Sequence, residues 1–205
     1  PVDVEVPGDT SSAAYWLVAA AIHPDAHVRV VNTGTNPTRT GIIDVLLRMG
    51  ARLTVQNERV ESGEPVADVE AESSELVGVE IGGPLIPRVI DEIPLIALAA
   101  CFARGETVVR DAQELRVKES DRIEATAMEL SRLGADIRVL PDGMVIKGVG
   151  RLRGAECSSH NDHRLAMTLG VAGLVAEGGT AVQNAEAVDV SYPGFWSDLH
   201  ALCAG

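Results

Sequence analysis

Leu47-Arg48-Met49-Gly50-Ala51-Arg52-Leu53-Thr54-Val55 returns further along the chain as Leu130-Ser131-Arg132-Leu133-Gly134-Ala135-Asp136-Ile137-Arg138-Val139. In both copies an apolar helical pattern meets a glycine and becomes an alternating strand. Glycine ends a helix without steric cost, so each copy reads as helix, stop, strand. Upstream, three Ala-rich helical runs each follow an acidic polar cluster. Gly8-Asp9-Thr10-Ser11-Ser12 precedes residues 13–22, Asp91-Glu92 precedes 93–103, and Asn161-Asp162-His163-Arg164 precedes 165–176. Short β-branched segments follow at 28–31, 107–109 and 180–182, and a second helix comes after each. Strands near 66–71 and 144–147 then close the first two copies, giving a β-α-β-α-β-β unit made twice. The third copy stops after its second helix, near 195–202. A repeat of about 70–85 residues exceeds solenoid periods. The expected fold is α/β: one compact lobe in which the Ala-rich helices pack together and their N-termini gather at one end. Symmetry would put Asp9, Asp91 and Asp162 at equivalent helix starts.

The 205 residues are 46% hydrophobic, enough for a core, and only 3% aromatic, which suits close helix packing better than base stacking. A net charge of −13 and the lack of a basic stripe argue against nucleic acid. Cys101, Cys157 and Cys203 are odd in number and far apart, which indicates neither a disulfide framework nor a zinc site. A reducing cytoplasm is the expected compartment. The longest apolar stretch, 93–103, is too short to span a bilayer, and Pro1-Val2-Asp3 has no signal-peptide character. Because the chain does not begin with Met, it is expected to be a piece of something longer.

Against that acidic background, Arg116-Val117-Lys118-Glu119-Ser120-Asp121-Arg122 concentrates three cations and two carboxylates where a helix is predicted to start. Ile123, Ala127, Leu130 and Leu133 form the apolar stripe of that helix, with Arg122, Thr126 and Glu129 on another face. The stripe is expected to pack inward and leave the charged turn at a rim. Helix N-termini favour phosphate or carboxylate through their free N–H groups and dipole. Composition alone favours a plainer reading, a solvated first turn with Asp121 and Glu124 as a capping pair. Asp91 is open to two readings, a first-turn acid or a carboxylate that accepts a substrate hydroxyl and its proton. Arg164 suits a bidentate clamp on an anion. His160 and His163 lack a third ligand at a persuasive spacing, so no metal site is expected. His23-Pro24-Asp25-Ala26-His27 reads as a turn, and 32–41 as a crossover loop that could hold an anion. No P-loop or nucleophile elbow is present.

Four motifs, in order, closely resemble the 5-enolpyruvylshikimate-3-phosphate synthase (EPSP synthase) family. They are Gly8-Asp9-Thr10-Ser11-Ser12-Ala13-Ala14, Asp91-Glu92-Ile93-Pro94, the 116–122 segment, and Asn161-Asp162-His163-Arg164-Leu165-Ala166-Met167. The resemblance runs from about Val4 to Ala201 and overrides the plainer reading of the 116–122 segment. It implies transfer of the enolpyruvyl group of phosphoenolpyruvate to the 5-hydroxyl of shikimate-3-phosphate with release of phosphate, using no metal or cofactor. The implied fold is an inverse α/β barrel of two lobes with the active site in the cleft between them. Residues 1–205 then look like the C-terminal lobe, without the N-terminal lobe and without the first strand that the family's N-terminus lends. By resemblance Asp91 binds shikimate-3-phosphate and is the base toward its hydroxyl, Lys118 binds substrate, and Glu119 is the acid toward the methylene carbon. Arg122 and Arg164 resemble the arginines that hold phosphoenolpyruvate, and His163 a supporting residue beside them. Two positions depart from some members: Val190 stands where they carry lysine, and Glu114 where they carry asparagine. The related UDP-N-acetylglucosamine enolpyruvyl transferase lacks the long 116–122 motif. A lobe that binds anions without catalysis is the remaining alternative.

Overall fold

A computed structural model describes residues 4–203; Pro1-Val2-Asp3, read above for a signal, lies outside them. The elements run α1 (Thr10–Ile22), β1 (His27–Gly34), α2 (Gly41–Arg48), β2 (Arg52–Glu61), β3 (Glu64–Glu72), β4 (Glu80–Ile81), α3 (Ile86–Val89), α4 (Ile93–Cys101) and β5 (Glu106–Val109). They continue with α5 (Arg122–Arg132), β6 (Asp136–Leu140), β7 (Gly143–Lys147), β8 (Leu152–Arg153), β9 (Glu156–Ser158), α6 (His163–Val175), β10 (Ala176–Glu177), β11 (Ala181–Gln183) and α7 (Phe195–Cys203).

The sheets bear out the repeat. One has the order β1-β3-β2 and another β4-β5-β7-β6, so each ends in the same antiparallel hairpin inserted the same way round. The leading strand of each unit pairs parallel with the strand after the first helix. In the second unit this is β4 with β5, and in the third β8 with β10 and β9 with β11. In the first unit it shrinks to one bridge, Gly8 to Thr33. The opening sequence match has the same geometry in both places. Gly50 (φ 86°) and Gly134 (φ 95°) are left-handed, and the next residue's N–H reaches back to Leu46 or Leu130.

α1, α4 and α6 pack on one another and are buried almost all round, which explains their lack of polar periodicity. A small residue on α6 also lets α7 approach closely: a Cβ at Gly170 would stand 2.8 Å from the Trp196 ring. That contact belongs to an aromatic cluster of Tyr15, Trp16, Tyr192, Phe195 and Trp196, five of the six aromatic residues in the chain, which seats α7 against α1. Phe195 stacks on Trp16 at 5.2 Å, and Trp16 Nε1 donates to Tyr192 Oη at 3.2 Å.

α5 corrects an expectation. Its apolar stripe is buried as predicted, but Arg122, Thr126 and Glu129 on the other face are buried too. β9 and the loop into α6 close over that face. Glu129 accepts the Ser158 N–H at 3.1 Å and pairs with His160 Nε2 at 2.8 Å, while Arg122 donates to Asp162. Among the described residues, no helix is long and apolar enough to cross a membrane.

Candidate active site

The starts of α1, α4 and α6 meet at one end of the lobe, joined by side chains. Ser11 at the start of α1 donates to Glu92 at the start of α4, and Arg164 at the start of α6 lies 3.8 Å from the same carboxylate. Asp9 caps α1 by accepting the Ser12 N–H at 2.8 Å, and Asp162 caps α6 by accepting the Arg164 N–H at 2.9 Å. Asp91 stands at the same end, near Arg164, but not as a cap: a 3-10 turn, Ile90–Glu92, precedes α4, and Pro94 follows in its first turn, so Asp91 caps nothing. Its carboxylate turns to cations instead: Arg122 Nη1 at 2.9 Å and Lys118 Nζ at 3.7 Å.

The 116–122 segment is also not a helical first turn. A 3-10 stretch ends at Val117, the chain bends through residues 118–120, and the helix begins at Arg122 with Asp121 as its cap. Asp121 accepts the Glu124 N–H at 3.1 Å, but the Glu124 carboxylate goes to Arg116, so the expected capping pair is only half made. Arg116 is a structural clamp: it donates to the carbonyls of Pro141 (2.7 Å) and Leu140 (2.8 Å) and to Asp121 (2.8 Å). Lys118 stands apart, between Asp91 and Glu114, whose carboxylate is 3.2 Å away.

Arg122 organises the site from within, where a rim position was expected. Its side chain is 1% exposed. Nε and Nη2 donate to the buried Asp162 at 2.7 and 3.3 Å, Nη1 to Asp91, and Nη2 to Glu119 at 2.6 Å. Ser120 Oγ fills another acceptor position on Asp162 at 3.0 Å. Glu119 is 46% exposed, and its other oxygen lies 3.9 Å from His163 Nδ1. Lys118, Glu119, Arg122, Asp91, His163 and Arg164, predicted from far-apart motifs, are therefore one constellation. Asp162, Glu92 and Ser11 were not predicted as its supports. His160 faces Glu129 while His163 faces Glu119, and among the described residues no group of three acidic, His or Cys side chains could hold a metal.

The electrostatics follow from burial and these partners. Burial pushes the Asp91 carboxyl up, but Arg164, Lys118 and Arg122 together outweigh it and hold the group below its ordinary 3.8. Asp162 is likewise pushed up by burial and brought lower by Arg122 and Ser120. Burial, and then Arg164, lower His163, favouring the neutral ring. For the two aspartates, the folded state binds fewer protons than the unfolded chain below the ordinary carboxylate range. Their contribution is thus full above about pH 4 and lost as pH falls through the folded values. The urea midpoint is expected to fall with pH over that acid range, and Asp162→Asn to show a shallower decline; equal slopes would reject this linkage.

Two apolar grooves, of about 430 and 460 Å³, flank α7. Neither is lined by the charged constellation.

A family model described as EPSP synthase (3-phosphoshikimate 1-carboxyvinyltransferase) matches residues 1–199. A 3-phosphoshikimate 1-carboxyvinyltransferase of Roseiflexus sp. (strain RS-1) is 58% identical over 97% of this chain and 46% of its own length. One from Synechococcus elongatus is 57% identical over 97% of this chain and 44% of its own. Among solved structures, an EPSP synthase from Acinetobacter baumannii superposes with a TM-score of 0.92 at 43% identity, covering 97% of this chain and 46% of that one. The enolpyruvyl transferase NikO from Streptomyces tendae gives 0.80 at 26% identity, covering 98% and 44%. The chain spans about half the length of the curated relatives it matches.

Proposed function

The chain belongs to the EPSP synthase family, and from that premise we propose that it is the C-terminal lobe of a two-lobed enzyme and supplies half of the active site. The reaction is transfer of the enolpyruvyl group of phosphoenolpyruvate to the 5-hydroxyl of shikimate-3-phosphate, with release of phosphate, in the cytoplasm. One observation carries this reading: the single guanidinium of Arg122 holds Asp91 on Nη1 and Glu119 on Nη2, with Lys118 beside Asp91. Adding an alcohol across the double bond of phosphoenolpyruvate needs a base at the attacking oxygen and an acid at the methylene carbon. Asp91 takes the hydroxyl proton while Glu119 delivers one to carbon. Loss of phosphate then needs a proton taken back from that same carbon, so the acid also serves as a base.

Lys118, Arg122 and Arg164, with His163 in support, hold two anionic substrates that repel each other. Orienting such a pair contributes roughly 7–11 kcal/mol to lowering a bimolecular barrier. Asp91 and Lys118 are only about a quarter exposed and Glu119 about half, a face suited to closure by a second lobe. The curated relatives at 54–58% identity carry the 3-phosphoshikimate 1-carboxyvinyltransferase name, which favours this substrate over a UDP-sugar.

The test is phosphate release from the two substrates by this chain, with and without a separately made N-terminal half of the Roseiflexus relative. Turnover is expected only from the combination. Turnover by the chain alone would refute the half-site, leaving a self-sufficient lobe; none from two folded, associated halves would reject the enzymatic reading in favour of simple anion binding.

A further inference from the structure

The two site arginines are neutralised in different ways. Arg122 has three carboxylates in hydrogen-bonding contact. Around Arg164, among the described residues, only Glu92 comes within ion-pair range, and its 3.8 Å separation is too long for a hydrogen bond. The Arg164 Nε–H is buried and has no partner. A buried donor in that state costs free energy unless something fills it.

Glu92 is 5% exposed and held from the far side. Ser11 Oγ donates to it, and Arg39 Nη2 donates in turn to Ser11 Oγ at 2.9 Å. This chain of contacts runs from the loop before α2, through the first turn of α1, to the start of α4. Burial pushes the Glu92 carboxyl up, against the pull of Ser11 and Arg164. At the other end the Arg164 carbonyl accepts from Thr168 Oγ1 at 2.8 Å and Tyr15 Oη at 3.5 Å, and the same Tyr15 hydroxyl lies against the guanidinium from the side of α1. Glu92 therefore attracts the guanidinium without engaging its donors.

We infer that Glu92 is a positioning residue: anchored by Ser11, it aims the Arg164 fork beside Asp91 while leaving its N–H groups open to an anionic group of the enolpyruvyl donor. The inference rests on the enolpyruvyl-transfer reading. A closer carboxylate would compete with substrate for the same donors, and none at all would leave the fork unaimed. A purely structural Glu92 would instead affect both substrates alike.

Two readouts decide it. In the recombined two-lobed assembly, Glu92→Ala is expected to raise KM for phosphoenolpyruvate about tenfold or more, with KM for shikimate-3-phosphate changed less than about threefold. Ser11→Ala, which removes the anchor and leaves Arg164 untouched, is expected to move the same KM in the same direction by less. Equal changes in both KM values, or no change, would overturn the inference. The second readout needs no turnover: by NMR of this chain alone, hydrogen exchange at the Arg164 Nε–H is expected to quicken at least about tenfold in Glu92→Ala as the fork loosens. If the wild-type assembly releases no phosphate, the enzymatic reading fails and this exchange rate alone judges Glu92; an unchanged rate overturns its positioning role.

Discussion

Glu119→Gln in the two-lobed assembly lowers turnover about 100-fold or more while both KM values stay within about threefold, the pattern expected when a proton-transfer group is lost and binding is kept. Glutamine keeps the shape of the side chain, and its amide oxygen can still accept from Arg122 Nη2, which lies 2.6 Å from Glu119. It cannot give a proton to carbon. Glu119 is the only member of the constellation that combines a firm hold with wide exposure, 46%, so its free oxygen can meet a substrate arriving from the other side. The imidazole of His163, 3.9 Å away, is the competing proton carrier. Steady-state kinetics of Glu119→Gln beside His163→Gln separates them: an unchanged rate in the glutamate variant and a collapse in the histidine variant would transfer the role to His163.

Asp162→Ala costs about 3 kcal/mol of stability, the low end for breaking a buried ion pair, because Asp91 and Glu119 still reach Arg122. For a chain of this size the unfolding midpoint falls by roughly 6–12 °C. Two roles are lost together, the charge that neutralises Arg122 and the cap on α6. Asparagine separates them, since it caps a helix about as well as aspartate but carries no charge. Thermal unfolding of both variants is the check. If Asp162→Asn is as stable as the parent, the charge pair contributes little and the cap accounts for the whole loss.

The repeat was legible because its signals are local. Gly50 and Gly134 stop their helices through their own φ angles, and the strands after them alternate within a few residues of the stop. The residue types in 116–122 and at Arg164 pointed to an anion, but the separate roles of Lys118, Glu119 and Arg122 were legible only through the resemblance, since nothing within 116–122 says that Lys118 and Arg122 bind Asp91. The supports of the site were not legible, and the reason is distance along the chain. Asp162 meets Arg122 across 40 residues, and Ser11 meets Glu92 across 81. Asp162 read as a helix cap, which it is, and its second partner depends on tertiary packing alone. The same cause hid the burial of Glu129: a polar stripe on a helix ordinarily faces water, and only the arrival of Ser158 and His160 makes it an inner face. Asp91 gathers with the other helix starts without capping its own helix, for a local reason, the 3-10 turn before Pro94.

Both tryptophans, Trp16 and Trp196, sit in the aromatic cluster that seats α7, and each makes ring contacts with Phe195. The lobe thus carries a built-in optical gauge. Its intrinsic emission reads whether the last helix is docked, while circular dichroism reads the sheets and the inner helices. Unfolding curves from the two signals will coincide if α7 melts with the rest, and part company if it peels away first.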